Sequence, residues 1–485
     1  MKMDKLRLRI LNDEDIKKIN ETSLDVLEMV GILVDDADTR SFLKSQGCVV
    51  DDYSKNVKFP RDIITEFISK APSSFTFHSR DGEHDVKMTS DGSVVNYMNL
   101  GMGTRVCHYI SENRFDTRDS TLKDIENIAK LEDGLNNVNL LTQPVSALDL
   151  MTSNVARSLY EVRAVISNTS KPYLTDPLPE YVEDYFAMMK AVYSGDDEEA
   201  RKKPFLMNGS CSSSPLQIDR KFCLLSKYSG DYGIPFMSMT MAMAGTTSPI
   251  DLAGTVVIHN CEALAGITLT QMFNPSTPTF YGSCTTNFDF MTNTAPFGSP
   301  ENTLISSCSA QMAQFYKIPS VNDGSISDSK YPGFQSAQEA MMNGLIPHLT
   351  GCSNVFGVGL IELGMTYSME QAVLVNDMIP LIKRITEGVA VNTDTLSYED
   401  IVQQGPGGNF IPLPRTMNGM FSQTNPEFSD RNMIDEWIKA GRPESISQAH
   451  DRVVDILNNH QVNAIEKDAL VEIDNIIKAA DKRLQ

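Results

Sequence analysis

IPFMSMT, residues 234–240, has a proline beside its first residue, stays largely apolar and ends on a small polar side chain. A strand buried on both faces reads this way, with proline tolerated at its entrance. The same grammar recurs at VVNYM (94–98), NVNLLT (137–142), PYLTD (172–176), PFLMNG (204–209), TPTFYGS (277–283), IPSVND (318–323) and NVFGVG (354–359). The eight runs start about 30 to 43 residues apart, the length of a strand plus its crossover helix. Eight near-equal units without a GxGxxG turn after the first favour a closed (β/α)8 TIM-type barrel over an open doubly wound sheet. Several runs finish in small or polar pairs, such as Thr175-Asp176, Asn208-Gly209 and Asn322-Asp323. Those are the C-terminal strand ends, where a barrel places its chemistry.

Outward from this core, residues 1–90 read as an N-terminal α+β addition, 91–387 as the barrel and 388–485 as a loop followed by a C-terminal helical cap. The loop contains QQGPGGNFIPLPRT (403–416), and three helices are expected from DRNMIDEWIKAG, SQAHDRVVDILNNH and EKDALVEIDNIIKAADKRL. Lys and Arg number 42 against 63 Asp and Glu, a formal charge of −21, too acidic for a general nucleic-acid binder. No uninterrupted apolar run approaches about 18 residues, and the first residues lack a signal-peptide core, so a cytoplasmic protein with no membrane partner is expected. Eight scattered cysteines, without a CxxC pair or histidines at zinc spacing, read as reduced thiols and no metal site. Among 25 methionines, Met237, Met239, Met241 and Met243 alternate, giving the fifth strand and its extension one thioether face.

GxSxG, HExxH and P-loop signatures are all missing. What the strand ends offer is aromatic: Tyr97 on the first run, Tyr281 on the sixth with Phe288 after it, Tyr331 and Phe334 after the seventh, and Phe356 in the eighth. Several such rings around one cavity would hold a quaternary ammonium by cation–π attraction, with no acid or base required. Ordinary barrel packing is the competing reading for any single ring. His348, just before the eighth run, and Arg105 and Lys330, after strand ends, are candidates to meet a substrate carboxylate.

Four segments in this order carry a resemblance: VNYMNLGMGTR (95–105), GSISDSKYPGFQSAQEAMM (324–342), GCSNVFGVGLIELGMTYSMEQAVLVNDMI (351–379) and GPGGNF (405–410), ahead of DRNMIDEWIKAG (430–441). Over essentially its whole length the chain resembles the trimethylamine methyltransferase superfamily. That resemblance implies a (β/α)8 barrel passing a methyl group from a methylated amine to the cobalt(I) of a corrinoid carried by a separate partner protein, with no tightly bound cofactor of its own. Founding members carry pyrrolysine; this sequence uses only the standard twenty residues, which points to the branch acting on quaternary amines. Glycine betaine, giving dimethylglycine, is the favoured substrate, with proline betaine and carnitine as alternatives. Tyr97 and Phe356, with Phe334 or Tyr331, would flank the trimethylammonium, and His348 would bind the carboxylate. The family often has a His-Thr pair after GPGGNF, where this chain has Pro414-Arg415-Thr416.

Two other classes compete: a barrel lyase, which should need a base, and a non-catalytic quaternary-amine binder. Large barrels commonly assemble symmetrically, so a homo-oligomer is expected.

Overall fold

The computed structural model describes residues 6–484 apart from 102, 112–113 and 152–154; Met102, between Gly101 and Gly103, thus lies outside the described residues. Each of the eight runs carries one strand, the fourth reaching two residues beyond its run: β1 (Asn96–Met98), β2 (Leu141–Thr142), β3 (Tyr173–Thr175), β4 (Leu206–Cys211), β5 (Phe236–Thr240), β6 (Thr279–Ser283), β7 (Ser320–Asp323) and β8 (Asn354–Phe356). All neighbours are parallel, in the order β1-β8-β7-β6-β5-β4-β3-β2. A parallel bridge between Met98 and Leu140 joins the two ends, and the Asn139 amide donates to the Tyr97 carbonyl at 2.8 Å. The sheet therefore closes, as the spacing predicts. Gly101 and Gly103 belong to that closure: a Cβ at either would lie within about 3 Å of the Pro144 carbonyl.

The helices after successive strands are α1 (Leu122–Asp133), α2 (Arg157–Asn168), α3 (Val182–Val192), α4 (Arg220–Tyr232), α5 (Leu252–Phe273), α6 (Pro300–Tyr316), α7 (Phe334–Thr350) and α8 (Met369–Glu387). Strand alternation fixes which side chains enter the lumen. Met237 stands opposite Phe280 and Gly209, Met239 opposite Gly282 and Cys211, and Phe356 opposite Asp323 and Met98. These share the inner face. Tyr97, Phe236 and Tyr281 have the other parity and meet the helices: Phe236 packs edge-on to Phe222 of α4 at 5.2 Å, and the Tyr281 hydroxyl donates to Asn260 of α5 at 2.7 Å.

Helix α5 is 22 residues long and apolar enough to cross a bilayer by length and composition, with 72% of its most apolar stretch buried inside the protein. The barrel covers one side. The other is covered by two N-terminal helices, Asp13–Met29 and Arg61–Ile68, the former capped by Asn12 and burying Ile16, Ile19, Leu24 and Leu27. A hairpin of Ser74–Phe77 and Val86–Thr89 places Phe75 edge-on to Phe280 at 5.0 Å, against the start of β6 at the lower end of the lumen. The last two helices, Ser445–Asn459 and Lys467–Arg483, lie along the flank, the first on α8 and α1, the second on α3 and α2.

At the C-terminal mouth the roof is uneven. Strands Arg105–Ser111, Arg114–Asp119, Leu360–Ile361 and Thr366–Ser368 form a small sheet beside β8 and β1. Residues 357–361, which follow β8, are all buried, as are 323–327. Over β3 to β6 the mouth is open, with Asp176, Cys211 and Met241 exposed and Cys284 half-buried.

Candidate active site

The structure separates the seven residues expected to form one site. Tyr97 faces outward, and its hydroxyl meets His348 Nδ1 of α7 at 2.8 Å, with both side chains buried. His348 Nε2 in turn lies 3.3 Å from the Thr386 hydroxyl of α8. The pair therefore ties β1 to the helical layer and cannot flank a ligand in the lumen, which corrects both roles. Arg105 pairs with Glu362 at 3.4 Å in the small sheet. The Lys330 ammonium donates to the Asp328 carbonyl at 2.8 Å. Tyr331 stacks on Phe115 at 5.6 Å, and Phe334 starts α7 with 86% of its surface exposed. Of the seven, only Phe356 lies on the lumen face of a barrel strand.

Beside Phe356, on the same inner register, stands Asp323 at the end of β7. One carboxylate oxygen, Oδ2, accepts from Asn302 Nδ2 of α6, which also donates to the Phe297 carbonyl at 2.9 Å. The other oxygen, Oδ1, is buried without a hydrogen-bond partner, as is Asn302 Oδ1. Burial pushes the Asp323 carboxyl up to about 8, with the Asn302 amide opposing the shift. Such a group stays neutral near pH 7 until a cation arrives beside it. In front of it, towards the open mouth, Cys284 Sγ lies 3.6 Å from Met239 Sδ. Burial raises the Cys284 thiol first, with Cys211 and then, once ionised, Asp323 adding to it. Cys211, opposite Met239, and Met241 are exposed above it, and of the alternating methionines Met237 and Met239 face the lumen. Sulfur and hydrocarbon make a dry, polarizable wall.

The segment SDSK (327–330) serves as roof over this corner. Asp328 accepts from the amides of Phe297 and Gly298, each at 2.9 Å, fastening the β6–α6 loop to the β7–α7 loop. Glu339 of α7 accepts from the Ser327 hydroxyl at 2.7 Å and the Asp328 amide at 2.8 Å. Among the described residues no three His, Cys, Asp or Glu side chains converge as a metal site.

Residues 2–484 match the family described as trimethylamine methyltransferase (MTTB). The chain belongs to the MTTB family. It is a methyltransferase, and its relatives include trimethylamine methyltransferase MttB of Methanosarcina barkeri, 39% identical over 98% of this chain and 96% of that one. The Desulfitobacterium hafniense trimethylamine methyltransferase MttB is 30% identical, over 97% of this chain and 93% of that one. Glycine betaine methyltransferase of the same species is 29% identical, over 99% and 98%. Among solved structures, a hydroxylamine complex of MtmB superposes with a TM-score of 0.48 at 13% identity, over 92% of this chain and 94% of that one. In this MTTB-family lumen, reasoning from sequence marked Asp323 only as half of a polar strand-end pair, without a role, and missed Asn302, Cys211 and Cys284. The available signal was the polar pair Asn322-Asp323 closing the strand Ser320–Asp323.

Proposed function

We propose that the chain takes a methyl group from a quaternary amine, glycine betaine first, and delivers it to the cobalt(I) of a corrinoid on a partner protein. Membership of the family along the whole chain supports methyl transfer from a methylated amine. The observation that carries the cationic substrate is Asp323: a buried carboxyl with an unpartnered oxygen, beside Phe356 and behind a sulfur-lined opening. A quaternary nitrogen needs no proton to leave. As the methyl carbon departs, nitrogen keeps the C–N electron pair and becomes a neutral tertiary amine, while cobalt supplies the pair for the new bond. What the barrel contributes is orientation and exclusion of water.

Because the positive charge on nitrogen disappears in this step, a strong counter-ion would hold the ground state too tightly. A carboxyl that ionises only when a cation arrives is a weak one, and a single ring suits the same need. The lumen therefore favours departure of the methyl group over tight retention of the amine. Relatives in this family are named for trimethylamine and for glycine betaine, so both belong in the test, with proline betaine and carnitine. Each is incubated with the protein and cob(I)alamin, and the spectral change on methylation is followed. Glycine betaine should turn over and release dimethylglycine. Turnover of trimethylamine alone would overturn the quaternary assignment, and turnover of none would overturn methyl transfer from these amines.

A further inference from the structure

A betaine carries a carboxylate as well as an onium group. His348 is turned to the helical layer, Arg105 is paired with Glu362, and Lys330 is held by the Asp328 carbonyl. The open arc of the mouth holds another cation. Lys221 stands in the first turn of α4, its side chain 28% exposed. Among the described residues its ammonium makes one hydrogen bond, to Asp176 Oδ2 at 2.7 Å, which leaves two N–H donors. Asp176 directly follows β3. Thr175 pairs with Asn208, and Asn208 with the outward-facing Phe236, so Asp176, one position further, continues the lumen parity. The backbone that carries Lys221 is fixed. Glu262 of α5 accepts from the Ser212 and Ser214 hydroxyls at 2.6 and 2.8 Å and from the Leu216 amide at 2.8 Å. Gln217–Ile218 then pairs with the N-terminal strand Ile32–Val34, and the Asp219 side chain caps α4 through the Phe222 amide at 2.7 Å.

Strand β3 lies four strands from β7 in either direction round the closed sheet, so Asp176 and Lys221 stand across the lumen from Asp323. Along the open side between them come Cys211, Met239 and Cys284, on or just after β4, β5 and β6. Burial pushes the Cys211 thiol up to about 12; the charges of Glu262, Asp176 and Asp219 add to the shift and that of Lys221 opposes it. An ammonium, a wall of sulfur and a buried carboxyl thus succeed one another across the opening. A ligand with a carboxylate at one end, a quaternary nitrogen at the other and hydrocarbon between matches that order. An onium group alone does not. As a tie between β3 and α4 the Asp176–Lys221 pair would do little, since partly exposed ion pairs contribute weakly to stability.

We propose that Lys221 is the specificity residue of this lumen: its ammonium takes the carboxylate of a betaine whose quaternary nitrogen lies at Asp323, and Asp176 holds it in place to do so. The inference rests on the quaternary-amine reading above. Titration calorimetry on the full-length protein tests it by comparing glycine betaine with tetramethylammonium, which has the onium group and no carboxylate. The wild type should bind glycine betaine about tenfold more tightly or better, as a charge-assisted hydrogen bond allows. Lys221→Met should erase that preference, because the carboxylate loses its partner and the freed Asp176 charge attracts either onium group. Lys221→Arg should keep most of it. A wild type that binds both ligands equally overturns the proposal, as does a Lys221→Met variant that keeps both its near-ultraviolet circular dichroism and the preference. Should Lys221→Met misfold, glycine betaine methyl ester decides on the wild type. With its carboxylate charge removed it should bind like tetramethylammonium; binding as tight as that of glycine betaine overturns the proposal. A protein that shows the preference yet methylates no cob(I)alamin overturns methyl transfer and leaves the Lys221 subsite standing, whereas one that binds neither ligand overturns both.

Discussion

Tyr97 and His348 are neighbours at 2.8 Å, yet neither faces the lumen. Tyr97→Phe should therefore cost stability and leave the KM for amine unchanged. Loss of the buried hydroxyl partner is worth about 1–3 kcal/mol, read by urea denaturation. Asp323→Asn should behave in the opposite way. The variant keeps the shape and gives up the charge, so the Kd for a quaternary amine should rise about tenfold, or ~1.4 kcal/mol, in titration calorimetry. In the wild type, binding a cation releases the Asp323 proton below about pH 8, so affinity rises with pH up to that point and then levels. The stability effect has its own sign. Folded Asp323 keeps its proton to about pH 8 while the unfolded carboxyl loses it near 3.9, so this residue lowers stability as pH rises between the two. Burial also lifts Glu132 to about 8, adding a slope of the same sign. The difference between Asp323→Asn and wild type isolates Asp323: the variant's stability advantage should grow from pH 5 to pH 8.

Strands were legible because proline, apolar runs and polar ends repeat at a crossover-unit spacing. Their facing was not. In a barrel both faces of each strand are buried, so hydrophobicity does not alternate, and a shift of one position exchanges lumen for shell. Tyr97 and Tyr281 read as strand-end aromatics and turned out to belong to the helix side; Phe356, with the opposite parity, lines the lumen. The strand ends also depend on glycine in a way a sequence shows only as a letter. Gly357 has φ of 125°, and a Cβ there would lie 2.2 Å from the Gly324 carbonyl, between the ends of β7 and β8. Gly364 has φ of 80° but open space around it. Gly364→Ala should cost about 1 kcal/mol for backbone strain, whereas Gly357→Ala should cost about 3 kcal/mol or more and impair methyl transfer by displacing Asp323 from Phe356. Chemical denaturation of the two variants, with activity of each, separates strain from displacement.

At the scale of the whole chain, sequence patterning does not say what the flanking segments touch. The amphipathic helix Asp13–Met29 was visible as a stripe, but nothing in it named α5 as the surface it covers. Nor did the N-terminal tail reveal that it stitches three outer helices together. The Leu6 amide donates to the Thr386 carbonyl of α8 at 2.9 Å and the Leu8 amide to Leu349 of α7 at 3.0 Å. Gln311 of α6 accepts from the amides of Ile10 and Leu11 at 2.8 and 2.9 Å. Deleting residues 1–11 should lower Tm by several degrees in a calorimetric scan, with substrate affinity retained because the lumen is untouched.

That stitching also imposes an order on the birth of the molecule. The tail leaves the ribosome well ahead of its partners on α6, α7 and α8, which lie about 300 or more residues downstream. The earliest residues must wait through most of synthesis, and loops of that length close late and slowly. From the emergence of α5 until α6, α7 and α8 are made, the helix Asp13–Met29 covers that apolar surface with the tail before it still unfastened.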